Sequence, residues 1–129
     1  MDPRIIRMKL DLLRRRAIVR AWPIASWQAR LAEHLAPGEY RYESDWVPIE
    51  GESWWPAGKT IFLRTQARTP VDVPLDSLYL TFDGEGLEGM LRIDGRPYAG
   101  IDAHHSRVPV PQMGELSLEA EFIAIPHVL

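Results

Sequence analysis

Two hydrophobic periods run along this chain. Between residues 3 and 22, Ile5, Met8, Leu12, Val19 and Trp22 lie mostly on one stripe at helical spacing, with Arg7, Lys9, Arg14, Arg16 and Arg20 largely elsewhere. This pattern predicts an amphipathic helix ended by Pro23. Ser26 can cap a second, shorter helix through Leu35 that carries Trp27, Leu31 and Leu35, and Pro37-Gly38 stops it. Beyond Gly38 the period falls to two. Thr60 to Arg68 alternates apolar and polar positions, Leu78 to Phe82 repeats the pattern, and Met90 to Ile93 runs into Asp94-Gly95, a strong hairpin signal. Val108 to Val110 and Leu116 to Phe122 add two more strands, and Arg41 to Pro48 reads as an edge or entry strand. Roughly five to eight short strands at this spacing predict a mainly β sandwich or jelly roll over residues 38–129, preceded by a helical arm of one or two helices over residues 1–37.

The length of 129 residues fits one domain of ordinary size, and a hydrophobic content of 46% supports one core but not a large hydrolase. The absence of cysteine excludes disulfides, thiolate zinc sites and a thiol nucleophile, and is compatible with a reducing compartment. No stretch approaches the roughly 20 apolar residues that cross a bilayer, and no apolar leader follows Met1, so the expected location is cytoplasmic, with no membrane partner. The net charge of −3 hides a split. Residues 1–37 carry eight basic and three acidic residues, whereas 38–129 carry seven and fifteen. A basic arm can serve nucleic acid or an acidic protein surface; the acidic remainder would repel phosphate within a Debye length, which favours the protein surface.

Candidate chemistry is sparse. Trp54-Trp55, with Glu50 and Glu52 before them, has the residue types of a carbohydrate platform, indole faces for sugar rings and carboxylates for hydroxyls; the same pair also fits one core anchor and one interface anchor. Asp102, His104 and His105 offer metal-ligand atoms, but neighbouring residues on an extended chain rarely share an ion, so a hydrogen-bonded structural loop, or one that reaches another domain, is the competing reading. No metal site is assigned. Glycosidases use two carboxylates roughly 5–10 Å apart, yet Asp83, Glu85, Asp94 and Asp102 all sit in turns where acidic side chains commonly cap backbone amides. Gly84 to Gly89 echoes a Gly-x-Gly-x-x-Gly string without the following helix that nucleotide binding needs, and no catalytic residue is assigned.

Taken in succession, Asp45 to Trp54, Lys59 to Arg64, Gly84 to Leu87, Ile93 to Asp102 and His105 resemble the N-terminal domain of family 38 α-mannosidases. The resemblance covers roughly residues 38–126. It implies a jelly-roll-like, galactose-binding-like sandwich that is itself non-catalytic and serves domain packing, oligomer contacts and the rim of a substrate site near Gly100 to His105. The partners it implies are the parent enzyme's catalytic domain, a second copy of the chain and a mannose-containing sugar, with no nucleic acid. The zinc of such enzymes is held by the catalytic domain, so no cofactor is expected in this chain. A carbohydrate-binding module, with Trp54 or Trp55 as the stacking platform and Glu50, Glu52 or Asp102 accepting hydroxyls, is the alternative.

Overall fold

The computed structural model describes residues 3–14, 17–49, 52–56, 59–83, 87–102 and 104–124, with side chains over 8–12, 20–49, 59–83, 88–102 and 104–123. Among the described residues twelve strands follow one another: β1 (Pro3–Arg14), β2 (Ala17–Pro23), β3 (Trp27–Ala36), β4 (Glu39–Tyr42), β5 (Val47–Ile49), β6 (Glu52–Pro56), β7 (Thr60–Arg68), β8 (Leu78–Asp83), β9 (Leu87–Ile93), β10 (Arg96–Ile101), β11 (Arg107–Pro109) and β12 (Glu115–Ala124). A short 3-10 turn at Leu75–Ser77 is the one helical element among the described residues.

These strands form two antiparallel sheets. The smaller has five strands in the order β11-β8-β1-β2, with β6 also paired to β1; the larger has seven in the order β10-β9-β12-β7-β3-β4, with β5 also paired to β3. Arg7 faces Glu52 of β6 on one side and Asp83 of β8 on the other, so β6 shares an edge of β1 with β2. The alternation that predicts β7 works as expected: Ile61, Leu63, Thr65 and Ala67 are buried, while Arg64, Gln66 and Arg68 are exposed. In β12, Leu116, Leu118, Ala120 and Phe122 are buried and enter the same core as Met8, Leu10, Leu78, Leu80 and Phe82 of the smaller sheet. The rings of Phe82 and Phe122 meet across the two sheets at 5.8 Å. This is a β-sandwich, as the period-two pattern predicts.

The helical arm is not formed. Residues 3–14, 17–23 and 27–36 are strands, and they pair with the remainder of the chain: β1 with β6 and β8, and β3 with β4, β5 and β7. The position expected to separate an arm from a sandwich falls within the β3–β4 hairpin, where Gly38 takes φ +75°. Three signals have other causes than helix punctuation. Pro37-Gly38 is a hairpin turn, Pro23 ends β2 opposite Lys9, and Ser26, at φ 61°, is a left-handed corner where the chain leaves the smaller sheet for the larger. The helical stripe also competes with a two-residue series, Met8, Leu10 and Leu12, and that series is the one buried. Asp11 disguises it, because this carboxylate is buried too, on the opposite side of β1, where it accepts a hydrogen bond from the Thr81 hydroxyl. In β3 the helix-forming composition Gln-Ala-Arg-Leu-Ala-Glu is overruled by pairing on both edges.

Candidate functional site

The outer face of the larger sheet gathers the polar halves of its strands into rows. Arg64 of β7 lies opposite Gln28 of β3 on one side and Glu119 of β12 on the other, and Glu119 lies opposite Arg92 of β9. One row on, Arg30, Phe62 and Glu121 are similarly aligned. Because directly opposed residues share a face, registration turns outward positions of four separate strands into one surface.

Side chains on this surface are organised by mutual contacts. The Arg30 guanidinium lies over the rings of Tyr42 at 3.6 Å, Trp46 at 4.6 Å and Phe62 at 5.7 Å, and Arg64 lies over Trp46 at 4.0 Å. Such contacts each contribute about 0.5–2 kcal/mol, more as water is excluded. Arg30 Nε is buried without a hydrogen-bond partner among the described residues. Tyr40 and Tyr42 set their rings edge-on to Phe62, which explains how a phenylalanine on an outward position is only 8% exposed. Tyr40 donates its hydroxyl proton to Glu121 Oε2 at 2.7 Å, and Arg92 donates to Oε1 of the same carboxylate at 2.9 Å. The Tyr40 phenol is therefore pushed up to about 12, first by that hydrogen bond, then by partial burial and the carboxylate's charge.

Beside this cluster lies an open groove of about 720 Å³. Its lining includes Gln28, Arg64, Gln66, Ser117 and Glu119 from the sheet, with Pro48 and Ile49 of β5 on one side. Arg64 Nε donates to Gln28 Oε1 at 2.8 Å, and Gln66 Nε2 donates to Ser117 Oγ at 2.7 Å. The nearby margin formed by β3, β4 and β5 leaves Leu35, Tyr42 and Val47 54%, 48% and 48% exposed.

The residues that the sequence puts forward lie elsewhere. Asp102, His104 and His105 come together in the loop after β10, where Asp102 Oδ1 accepts the backbone N–H groups of both His104 and His105 at 2.8 Å and lies 3.1 Å from His105 Nδ1. Backbone bonds of 3.2 Å in both directions between Asp102 and His105 close the loop. The carboxylate is thus held by its own turn, and its pKa is lowered, chiefly by the His104 amide. Asp94 plays a comparable part, accepting from Gln112 Nε2 and from the Ser117 amide. Trp54, Trp55 and Glu52 lie on β6, paired with Ile5, Arg4 and Arg7 of β1, and their side chains fall outside the described residues, as do Glu50 and Glu85. Among the described residues no three His, Asp or Glu side chains gather as a metal site would require, and no helix is long and apolar enough to cross a membrane.

Sequence reasoning passes over Arg30, Trp46, Arg64 and Glu119. The alternation of β7 and β12 puts Arg64 and Glu119 on outward faces, but their juxtaposition needs strand register; Arg30 falls within the segment expected to be a second helix and Trp46 within the expected edge strand. No protein-family model, no curated protein and no solved structure matches this chain.

Proposed function

We propose that this chain is a non-catalytic sandwich domain that packs against a larger partner, and that the partner is a catalytic domain of the family 38 α-mannosidase type, working in the cytoplasm. The observation that carries the packing part is the margin of the larger sheet, where a guanidinium stacked on Tyr42, Trp46 and Phe62 adjoins exposed Tyr42 and Val47. Aromatic and arginine side chains are the ones enriched in the cores of protein interfaces and among their energetic hot spots. The mannosidase part rests on the succession of sequence words from Asp45 to Asp102. On this reading the catalytic acid, the nucleophile and the zinc all belong to the partner. The commitment of Asp94 and Asp102 to backbone amides supports a scaffold role for the acidic turns.

The test supplies a family 38 catalytic domain in trans and measures association by sedimentation. The expected outcome is a defined complex that the double variant Tyr42→Asp/Val47→Asp weakens at least about tenfold, which corresponds to about 1.4 kcal/mol, while circular dichroism shows the variant still folded. Hydrolysis of an aryl α-mannoside by the purified chain alone, or equal association of the folded variant, contradicts the proposal.

A further inference from the structure

The groove on the larger sheet has a chemical character that packing does not require. Its floor presents planar hydrogen-bonding groups at adjacent positions: two carboxamides, Gln28 and Gln66, the Arg64 guanidinium and the Glu119 carboxylate, with the Ser117 hydroxyl between strands. Two of these groups are held by the others. The bond from Arg64 Nε to Gln28 Oε1 leaves the Gln28 amino group and the terminal Arg64 nitrogens without a hydrogen-bond partner among the described residues, and the bond from Gln66 Nε2 to Ser117 Oγ does the same for the Gln66 carbonyl. Glu119 stands across from two arginines, yet Arg64 is drawn to Gln28 and Trp46 and Arg92 to Glu121. Its carboxylate accordingly makes no ion pair among the described residues.

We infer that this groove binds a neutral pyranoside. A pyranose offers neighbouring hydroxyls that each donate and accept, together with apolar C–H faces. The floor supplies donors at Gln28 and Arg64 and acceptors at Gln66 and Glu119, and the Pro48-Ile49 wall supplies an apolar surface for the ring. A volume of about 720 Å³ falls within the roughly 300–1,000 Å³ of small-molecule sites. Charge narrows the ligand class: Arg64 disfavours a cation and Glu119 an anion, which leaves ligands of no net charge, and the Pro48-Ile49 wall favours an apolar C–H ring face over a compact zwitterion. Holding Arg64 between Gln28 and Trp46, and Gln66 against Ser117, fixes rotamers before the ligand arrives and lowers the ordering cost of binding. This inference does not rest on the packing proposal, because it concerns Gln66 and Glu119 rather than Tyr42 and Val47.

The experiment is a titration of the full 129-residue chain, labelled with 15N, against methyl α-mannopyranoside, methyl β-glucopyranoside and, as a charged control, glucuronate. The expected result is saturable movement of the Gln28 and Gln66 side-chain amide signals and of the Ser117 to Glu119 backbone amides with at least one neutral pyranoside below about 50 mM, a concentration that saturates a millimolar site. Gln66→Ala and Glu119→Ala, both surface changes, should each weaken that binding about tenfold with the thermal midpoint unchanged, and glucuronate should bind less tightly than the neutral sugars. Absence of shifts with both neutral sugars, shifts confined to the Asp102 to His105 loop or to β6, binding indifferent to both variants, or glucuronate binding as tightly would each overturn the inference. Loss of partner association in the Tyr42→Asp/Val47→Asp chain, with sugar shifts intact, separates the two proposals.

Discussion

Asp102 illustrates how a residue suited to catalysis or metal binding is taken up by local geometry. Its Oδ1 receives two backbone N–H groups and lies beside the His105 ring, so the ionised form is favoured in the fold. A folded-state pKa below the unfolded one means that the contribution of this turn is complete above the unfolded value and disappears as pH falls through the folded value. Carbon-detected titration of the Asp102 carboxyl should therefore give a midpoint below the ordinary 3.8, and Asp102→Ala should speed amide exchange at His104 and His105 while leaving global unfolding almost unchanged. A midpoint at or above the ordinary value would remove the explanation. Tyr40 has the opposite sign. Its raised pKa favours the neutral phenol, so the contribution of its bond to Glu121 is present below the unfolded value near 10 and is lost as pH rises toward about 12.

Two glycines separate two ways in which an element constrains sequence. Gly89 on β9 lies directly against β12: a Cβ there would overlap the Glu121 carbonyl oxygen and come 2.5 Å from Phe122 Cδ1. Since the obstacle is backbone, Gly89→Ala should cost about 1–3 kcal/mol or more through overpacking. Gly95, in the turn between β9 and β10, has φ +80° and open space around its would-be Cβ, so Gly95→Ala should cost about 1–2 kcal/mol purely through left-handed backbone. Urea unfolding of both variants checks the pair, and a neutral Gly89→Ala would refute the close approach. The Asp94-Gly95 turn is also where the sequence was most readable, since both residues take positive φ and the hairpin forms where the dipeptide predicts it. β7, β8 and β12 were also legible, because each keeps a buried, mostly apolar residue at every second position, even though Thr60 and Phe62 in β7 and Thr81 in β8 are buried on the other face as well. β1 and β3 were not. Their inward positions are interleaved with a buried Asp11 in one case and with Gln-Ala-Arg-Leu-Ala-Glu in the other, so strand pairing over long separations decided what local preference could not. The groove was invisible for the same reason: Gln28, Arg64 and Glu119 become neighbours only through the register of three strands.

At the scale of the whole molecule, β1, β2 and β3 are structural partners of the rest. β1 is the hub of the smaller sheet, paired with β2, β6 and β8, and β3 closes the larger sheet against β7. A chain beginning at Gly38 would retain most predicted strands yet lose the inward side chains Met8, Leu10, Trp27 and Ala29 from the core. It should show neither a dispersed amide spectrum nor a cooperative thermal transition, whereas the 129-residue chain should show both. A cooperatively folded 38–129 fragment would restore the division into arm and sandwich. The central place of β1 also reaches into biosynthesis. This strand leaves the ribosome ahead of the other strands of the sandwich, but the Thr81 hydroxyl that meets Asp11 is 70 residues behind it. At translation speeds of roughly 5–20 residues per second, the Met8-Leu10-Leu12 stripe waits several seconds for its cover. A nascent chain stalled before Leu78 should consequently be held by chaperones, and one stalled well after Ala124 released.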